Sequence, residues 1–127
     1  MLSQRTILII DDEKPMRMKL KKPLKAAGFK VIEASGALDA TNCLMRAKNS
    51  IDLILLDINI PEVDGRGISD IIDEYAPELP IIVTSVHPVG DQKLRIPRAV
   101  DYYSKLNNVD SLIKKVKNAL GVEGKVA

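Results

Sequence analysis

Aromatic residues and cysteines are scarce in this sequence. It has no tryptophan, one phenylalanine and three tyrosines, so aromatics make up 3% of its 127 residues. Apolar residues nevertheless reach 46%, which is enough for one domain with an aliphatic core of Ile, Leu, Val and Ala. The single cysteine, Cys43, excludes a disulfide framework and fits a protein of the reducing cytoplasm.

Long apolar runs and a strong charge excess are also missing. No stretch approaches the roughly 20 apolar residues that a membrane span needs, and the N-terminal run Ile7–Ile10 is too short for a signal peptide. The net charge of +2 is too small to indicate nucleic-acid binding. We therefore expect a cytoplasmic protein that binds neither membranes nor nucleic acid directly, with one domain over residues 1–120 and a flexible tail over 121–127.

Short apolar runs alternate with segments of helical periodicity. Five runs have the length and composition of strands: Ile7–Ile10, Val31–Ala34, Leu53–Leu56, Ile81–Val83 and Tyr102–Ser104. Such alternation predicts an α/β protein with a parallel sheet, right-handed crossovers and helices on both faces. We expect the doubly wound, flavodoxin-like order 2-1-3-4-5.

The helix boundaries carry their own signals. Ser35 is a candidate cap for the second helix, and Asn108 is a candidate cap for the last one. Pro23 lies inside the first helix and should kink it. Between residues 86 and 98, Gly90 and Pro97 predict a short or irregular fourth helix.

Acidic residues follow two of the predicted strands directly. Asp11 and Asp12 come after the first strand, and Asp57 comes after the third. The carboxyl ends of parallel strands meet at one edge of the sheet, where ligands bind, and strands one and three are neighbours in the expected order. Three carboxylates placed together repel one another unless a cation is present, and Mg²⁺ prefers such hard oxygen ligands. The pattern favours a magnesium site.

Asp57 has the surroundings of a carboxylate nucleophile. Pro61 and Asp64-Gly65 predict a tight turn shortly after it, and a carboxylate can form an acyl phosphate. Thr84 directly follows the fourth predicted strand, and Lys105 directly follows the fifth. A hydroxyl and an ammonium therefore reach the same edge of the sheet as the acids. Both can bind oxygens of a transferring phosphoryl group.

The chain resembles the receiver domains of two-component response regulators from Ile7 to Leu120. The resemblance rests on four stretches in order: Ile-Leu-Ile-Ile-Asp-Asp-Glu at 7–13, Leu-Asp-Ile-Asn-Ile-Pro-Glu-Val-Asp-Gly at 56–65, Pro-Ile-Ile-Val-Thr-Ser at 80–85 and Asp-Tyr-Tyr-Ser-Lys at 101–105. It implies a phosphoryl acceptor that is not an enzyme beyond assisting its own phosphorylation and dephosphorylation. The implied donor is a histidine kinase or a phosphotransfer protein, and output would pass to an unidentified protein or to an output domain outside this chain.

The resemblance also assigns roles to residues. Asp57 would be the phosphoacceptor. Direct Mg²⁺ ligands would be Asp12, Asp57 and the backbone carbonyl of Asn59, while Asp11 would act through a metal-bound water. Thr84 and Lys105 would bind the phosphoryl group. Thr84 and Tyr102 would form the conformational switch.

One departure from the family keeps an alternative open. The family usually has proline, often in a cis peptide, after the active-site lysine, whereas this chain has Leu106. We therefore predict a trans Lys105–Leu106 bond and a somewhat shifted Lys105 ammonium. A degenerate receiver that acts as a phosphorylation-independent interaction module is the alternative.

Two other classes fit less well. Aspartate-nucleophile phosphatases usually have a second aspartate two residues after the nucleophile, where this chain has Asn59. A flavodoxin-like cofactor binder would need a loop that cradles phosphate, whereas the first loop here is acidic.

Three surface features have ordinary interpretations. The basic residues of the first helix predict a solvated face rather than a docking patch: Arg17, Lys19, Lys21, Lys22 and Lys25. His87 is the only histidine and is expected to be an exposed loop residue, and Cys43 is expected to pack as a small side chain.

Overall fold

Five parallel strands form one sheet at the centre of the fold. The computed structural model describes residues 4–58, 65–86 and 98–122. The strands are β1 (Thr6–Ile10), β2 (Lys30–Ala34), β3 (Leu53–Asp57), β4 (Ile81–Ser85) and β5 (Asp101–Ser104). Their order is β2-β1-β3-β4-β5, which confirms the predicted doubly wound topology.

Four α-helices are described around this sheet. They are α1 (Lys14–Ala26), α2 (Ala37–Ala47), α3 (Gly65–Tyr75) and α4 (Val109–Leu120), and a 3₁₀ turn at Lys48–Ser50 follows α2. Helices α2 and α3 contact each other, as do α1 and α4. The helices therefore lie in pairs on opposite faces of the sheet.

The central strands are buried on both faces, as continuous apolar runs predict. Along β1, Leu8 and Ile10 join the core beneath α2 and α3, whereas Ile7 and Ile9 join the core beneath α1 and α4. This alternation fixes which side chains enter which core. Because the strands pair in parallel, the carboxyl ends of β1, β3, β4 and β5 meet at one edge of the sheet.

The start of α2 corrects one prediction. Gly36, not Ser35, is the N-cap residue, and no side chain caps this end. The Ser35 hydroxyl instead donates to Asp39 Oδ2 at 2.6 Å, and the Ser35 backbone N–H donates to the same oxygen at 3.2 Å. The N-cap position lies one residue later than predicted, and the Ser35 side chain binds Asp39 rather than a helix amide.

Other boundary predictions have mixed outcomes. Helix α1 runs through Pro23 to Ala26, and Gly28 follows with a φ of 98°. The predicted irregular helix at 86–98 lies outside the described residues except for its two ends. At the C-terminus, Gly121 adopts a φ of 68° and the Val122 N–H donates to the Lys117 carbonyl at 2.9 Å. This is the hydrogen-bond pattern that ends many helices.

Replacing Asn108 with alanine should cost about 1 kcal/mol of unfolding free energy. Its side-chain oxygen accepts from the Asp110 N–H at 2.7 Å and caps α4, as predicted from the sequence. Urea denaturation of Asn108→Ala measures the loss. Asn107→Ala is the matched control, since Asn107 accepts from the Tyr103 hydroxyl through its backbone carbonyl. Equal stability losses in both variants would contradict the capping role.

Candidate functional site

Asp57 is the last residue of β3 and is almost completely buried, with 3% of its surface exposed. The four residues before it, Leu53–Leu56, are fully buried in the two cores. They hold the strand between β1 and β4. Thr84 on β4 pairs directly with Asp57 in the strand register and is itself buried, so a carboxylate and a hydroxyl-bearing residue stand side by side.

Asp11 and Asp12 occupy the loop between β1 and α1. Asp11 is fully buried, and its backbone N–H donates to the Ala34 carbonyl of β2 at 3.1 Å. Its Oδ1 accepts from the Glu13 N–H at 2.9 Å. The carboxylates of Asp11, Asp12 and Asp57 each present one oxygen within 4.8 Å of the others. The predicted convergence of the three acids is therefore present.

Lys105 brings a positive charge into this group of acids. Its Nζ lies 2.6 Å from Asp11 Oδ2 and 3.3 Å from Asp57 Oδ2, with 4% of its side chain exposed. Burial by itself lowers the pKa of Lys105, but the hydrogen bond to Asp11 and the charges of both aspartates outweigh it. The pKa is therefore raised, and the ammonium stays charged at neutral pH.

The backbone around Lys105 is fixed by β4. The Lys105 N–H donates to the Ser85 carbonyl at 2.7 Å. No cis peptide bond occurs in the described residues, so the Lys105–Leu106 bond is trans and that prediction is confirmed. Leu106 itself is strongly exposed.

The charges of the cluster do not balance. Three carboxylates face one ammonium, which leaves a formal excess of negative charge in a mostly buried site. Oxygen ligands at this spacing suit a hard divalent cation that retains some of its waters. The donor set therefore fits a magnesium-type site, in which Asp11 and Asp57 are buried and Asp12 is half-buried.

The remaining predicted site residues have different outcomes. Tyr102 lies on β5 beside Val83 of β4 and is mostly buried; burial and the charge of Asp101 raise its pKa. Asn59 and His87 lie outside the described residues. Cys43 packs against the core as expected and is half-buried, and burial raises the pKa of its thiol.

Arg17 and Lys21 correct the prediction of a solvated basic face. Arg17 Nε lies 3.0 Å from Glu33 Oε1 and Lys21 Nζ lies 2.9 Å from Glu33 Oε2. Lys19, Lys22 and Lys25 are exposed as predicted. A signal was available in the sequence, because Glu33 is a charged residue within the apolar run Val31–Ala34 and such a residue needs partners.

Glu33 should make stability depend on pH. The hydrogen bond from Lys21 is the largest influence on its pKa, and with Arg17 it outweighs burial and lowers the pKa below the usual value of 4.5. The folded state then binds fewer protons than the unfolded state, so this stabilisation is present above pH 4.5 and is lost as pH falls through the lowered pKa.

The measurement is the difference in unfolding free energy between wild type and Glu33→Gln across pH. It should be about 0.5–1 kcal/mol at pH 7 and shrink toward zero in acid. Glu74→Gln, an exposed site on α3, is the control and should change stability by less than about 0.5 kcal/mol at pH 7. A wild-type minus Glu33→Gln difference that stayed constant down to strong acid would contradict the ion-pair account.

Comparison with known proteins places this arrangement in a family. The family model described as "Response regulator receiver domain" matches residues 7–117. The chain therefore belongs to the response regulator receiver domains of two-component systems.

Individual relatives of known name support this family assignment. An NtrX-like response regulator from Rickettsia felis is 32% identical and aligns with 95% of this chain and 26% of its own length. The sensor histidine kinase RcsC of Salmonella typhimurium is 32% identical over 70% of this chain and 9% of its own length. This chain thus spans about a quarter or less of these relatives.

Solved structures share the fold. The response regulator TrrA from Thermotoga maritima, crystallised in complex with Mg²⁺-BeF, is 28% identical with a TM-score of 0.82. The alignment covers 92% of this chain and all of TrrA. A CheY-like receiver from Methanospirillum hungatei gives a TM-score of 0.83 at 23% identity, covering 94% of this chain and 95% of its own, and supports the fold alone.

Within the described residues, no helix has the length and apolarity to cross a membrane.

Proposed function

We propose that this domain accepts a phosphoryl group on Asp57 from a phosphohistidine of a histidine kinase or phosphotransfer protein. The observation that carries the proposal is the buried cluster at one sheet edge, in which Lys105 Nζ lies 2.6 Å from Asp11 and 3.3 Å from Asp57. Family membership and the sensor-kinase relative support the donor class.

The reaction is a transfer between two side chains. A carboxylate oxygen of Asp57 attacks phosphorus, an O–P bond forms, and the N–P bond of the donor imidazole breaks so that the imidazole departs with the electron pair. Lys105 leaves its contact with Asp57 for a phosphoryl oxygen, and the Thr84 hydroxyl donates to another. Asp57 thereby becomes an acyl phosphate.

The metal held here would be Mg²⁺. Asp12, Asp57 and the backbone carbonyl of Asn59 would bind it directly, and Asp11 would bind one of its waters. When bound, Mg²⁺ offsets negative charge on the phosphoryl oxygens. The acid cluster and the Mg²⁺-BeF complex of TrrA support this assignment.

The signal would leave through Thr84 and Tyr102. Thr84 pairs with Asp57 in the strand register, and Tyr102 lies on the neighbouring strand β5 beside Val83. Movement of the Thr84 hydroxyl toward the phosphoryl group would then be passed on to Tyr102. Output would pass to a partner protein or to a domain beyond this chain. The surroundings would be the cytoplasm, where such kinases present phosphohistidine.

Incubation with acetyl phosphate tests the proposal. With Mg²⁺, the intact mass of the protein should increase by one phosphoryl group, and with EDTA it should not change. The adduct should be labile to hydroxylamine, as acyl phosphates are. Persistent absence of an adduct, with Mg²⁺ and with a phosphorylated donor protein, would favour the degenerate receiver.

A further inference from the structure

Arg17 connects the acidic loop to the edge of the sheet. Its Nη1 donates to the backbone carbonyl oxygen of Asp11 at 2.8 Å, and its Nε donates to Glu33 Oε1 at 3.0 Å. Only 13% of the Arg17 side chain is exposed. One rigid guanidinium therefore binds the loop that carries two acids of the cluster and a carboxylate on β2.

The Asp11 carbonyl is an informative acceptor because it belongs to the peptide plane that joins Asp11 to Asp12. A planar peptide fixes six atoms together, including the N and Cα of Asp12. A donor that holds this oxygen therefore limits the direction in which the Asp12 side chain leaves the backbone.

Asp12 needs such support more than Asp11 does. The Asp11 carboxylate is held by the Glu13 N–H and by Lys105. Within residues 4–58, 65–86 and 98–122, the Asp12 carboxylate has no hydrogen bond or ion pair of its own. Among the described residues, the contacts that orient Asp12 are therefore those of its backbone.

We propose that Arg17 is a positioning residue for the metal site, which orients the Asp12 carboxylate through the Asp11–Asp12 peptide, with Glu33 holding the guanidinium in place. The inference rests on the proposed Mg²⁺ site and adds to it a residue that touches neither metal nor phosphate. Removing a residue that orients a metal ligand without touching the metal commonly lowers metal affinity about 10-fold to 100-fold.

Two effects of Arg17 on Mg²⁺ affinity have opposite signs. Its positive charge repels a cation, so removing the charge alone would strengthen Mg²⁺ binding. Its hydrogen bond to the Asp11 carbonyl aims a ligand, so removing that bond would weaken Mg²⁺ binding. Glu33 compensates the charge of Arg17, which reduces the repulsion. We therefore expect the positioning effect to be the larger one.

Mg²⁺ alone, titrated into the full chain and followed by NMR shifts of the backbone amides, tests the inference. Arg17→Met should weaken Mg²⁺ binding about tenfold, which corresponds to about 1.4 kcal/mol. Arg17→Lys should stay within about threefold of Arg17→Met, because one ammonium lacks the fork that reaches two acceptors. Circular dichroism should show both variants folded before titration.

Lys19→Met is the matched control, since it removes the same charge from an exposed position on α1. Its Mg²⁺ affinity should equal that of wild type or be up to about twofold tighter. Arg17→Met with wild-type or tighter affinity would overturn the inference while leaving the proposed function intact. A wild-type protein that bound no Mg²⁺ would instead contradict the proposed function itself.

Discussion

Replacing Asp57 with asparagine is expected to abolish phosphorylation by acetyl phosphate and by any phosphohistidine donor. An amide has no carboxylate oxygen to form an acyl phosphate. Intact-mass measurement with Mg²⁺ should show the wild type shifting and Asp57→Asn unchanged. A full adduct on Asp57→Asn would place the acceptor elsewhere.

The same substitution should also stabilise the metal-free protein. Asp57 faces two carboxylates within 4.8 Å and one ammonium at 3.3 Å. At an effective dielectric constant of about 20, each repulsion is worth roughly 3 kcal/mol and the attraction roughly 5 kcal/mol. The repulsions exceed the attraction, and burial adds a desolvation cost for the charge. We expect Asp57→Asn to gain about 1 kcal/mol of unfolding free energy in EDTA.

Asp52→Asn is the matched control, since Asp52 directly precedes the first residue of β3, whereas Asp57 is its last residue. Asp52 Oδ2 accepts from the Thr6 N–H at 2.7 Å, and a charged acceptor is stronger than a neutral one. This variant should lose about 1 kcal/mol and still be phosphorylated. If both variants shifted stability in the same direction, the account of charge crowding at Asp57 would be wrong.

Replacing Lys105 with methionine should cost about 3–5 kcal/mol in EDTA, because removing one partner leaves buried carboxylates uncompensated. Methionine preserves most of the stem, so packing loss is small. Urea denaturation measures the loss. Mg²⁺ should recover part of it, since the cation replaces the missing charge and binds the folded state.

Lys115→Met is the control for Lys105. Lys115 Nζ pairs with Asp101 at 3.0 Å, but the two side chains are 31% and 35% exposed. Such a pair contributes about 0–1 kcal/mol. Similar losses for Lys105→Met and Lys115→Met would show that the acid cluster does not depend on the buried ammonium.

The fold was predictable because its strands are short and almost purely apolar. Runs such as Leu53–Leu56 have the length of strands, and their apolarity on both faces indicates a sheet covered by helices. The edge of the sheet that carries the acids follows from parallel pairing. Convergence of Asp11, Asp12 and Asp57 was therefore predictable without knowing any side-chain geometry.

The contacts within the site were less predictable, since they depend on distances that no pattern contains. Lys105 was expected near Asp57, yet it lies closer to Asp11. Arg17 was expected in solvent, but the reach of its long side chain to a backbone carbonyl cannot be read from helical spacing. Ser35 was expected to accept a hydrogen bond and instead donates one to Asp39. Lys105 thus pairs with Asp57 as expected and also with Asp11, whereas the partners of Arg17 and Ser35 differ from those that the sequence predicted.

The most direct test of the central claim is to locate the phosphoryl group by chemical reduction. Wild-type protein phosphorylated with acetyl phosphate and Mg²⁺ is treated with borohydride, which reduces an aspartyl phosphate to homoserine, and is then digested and sequenced by mass spectrometry. We expect homoserine at position 57 and unchanged aspartates at 11 and 12. Homoserine at another position, or none in a protein that carries the phosphoryl mass, would contradict the assignment of Asp57 as the acceptor.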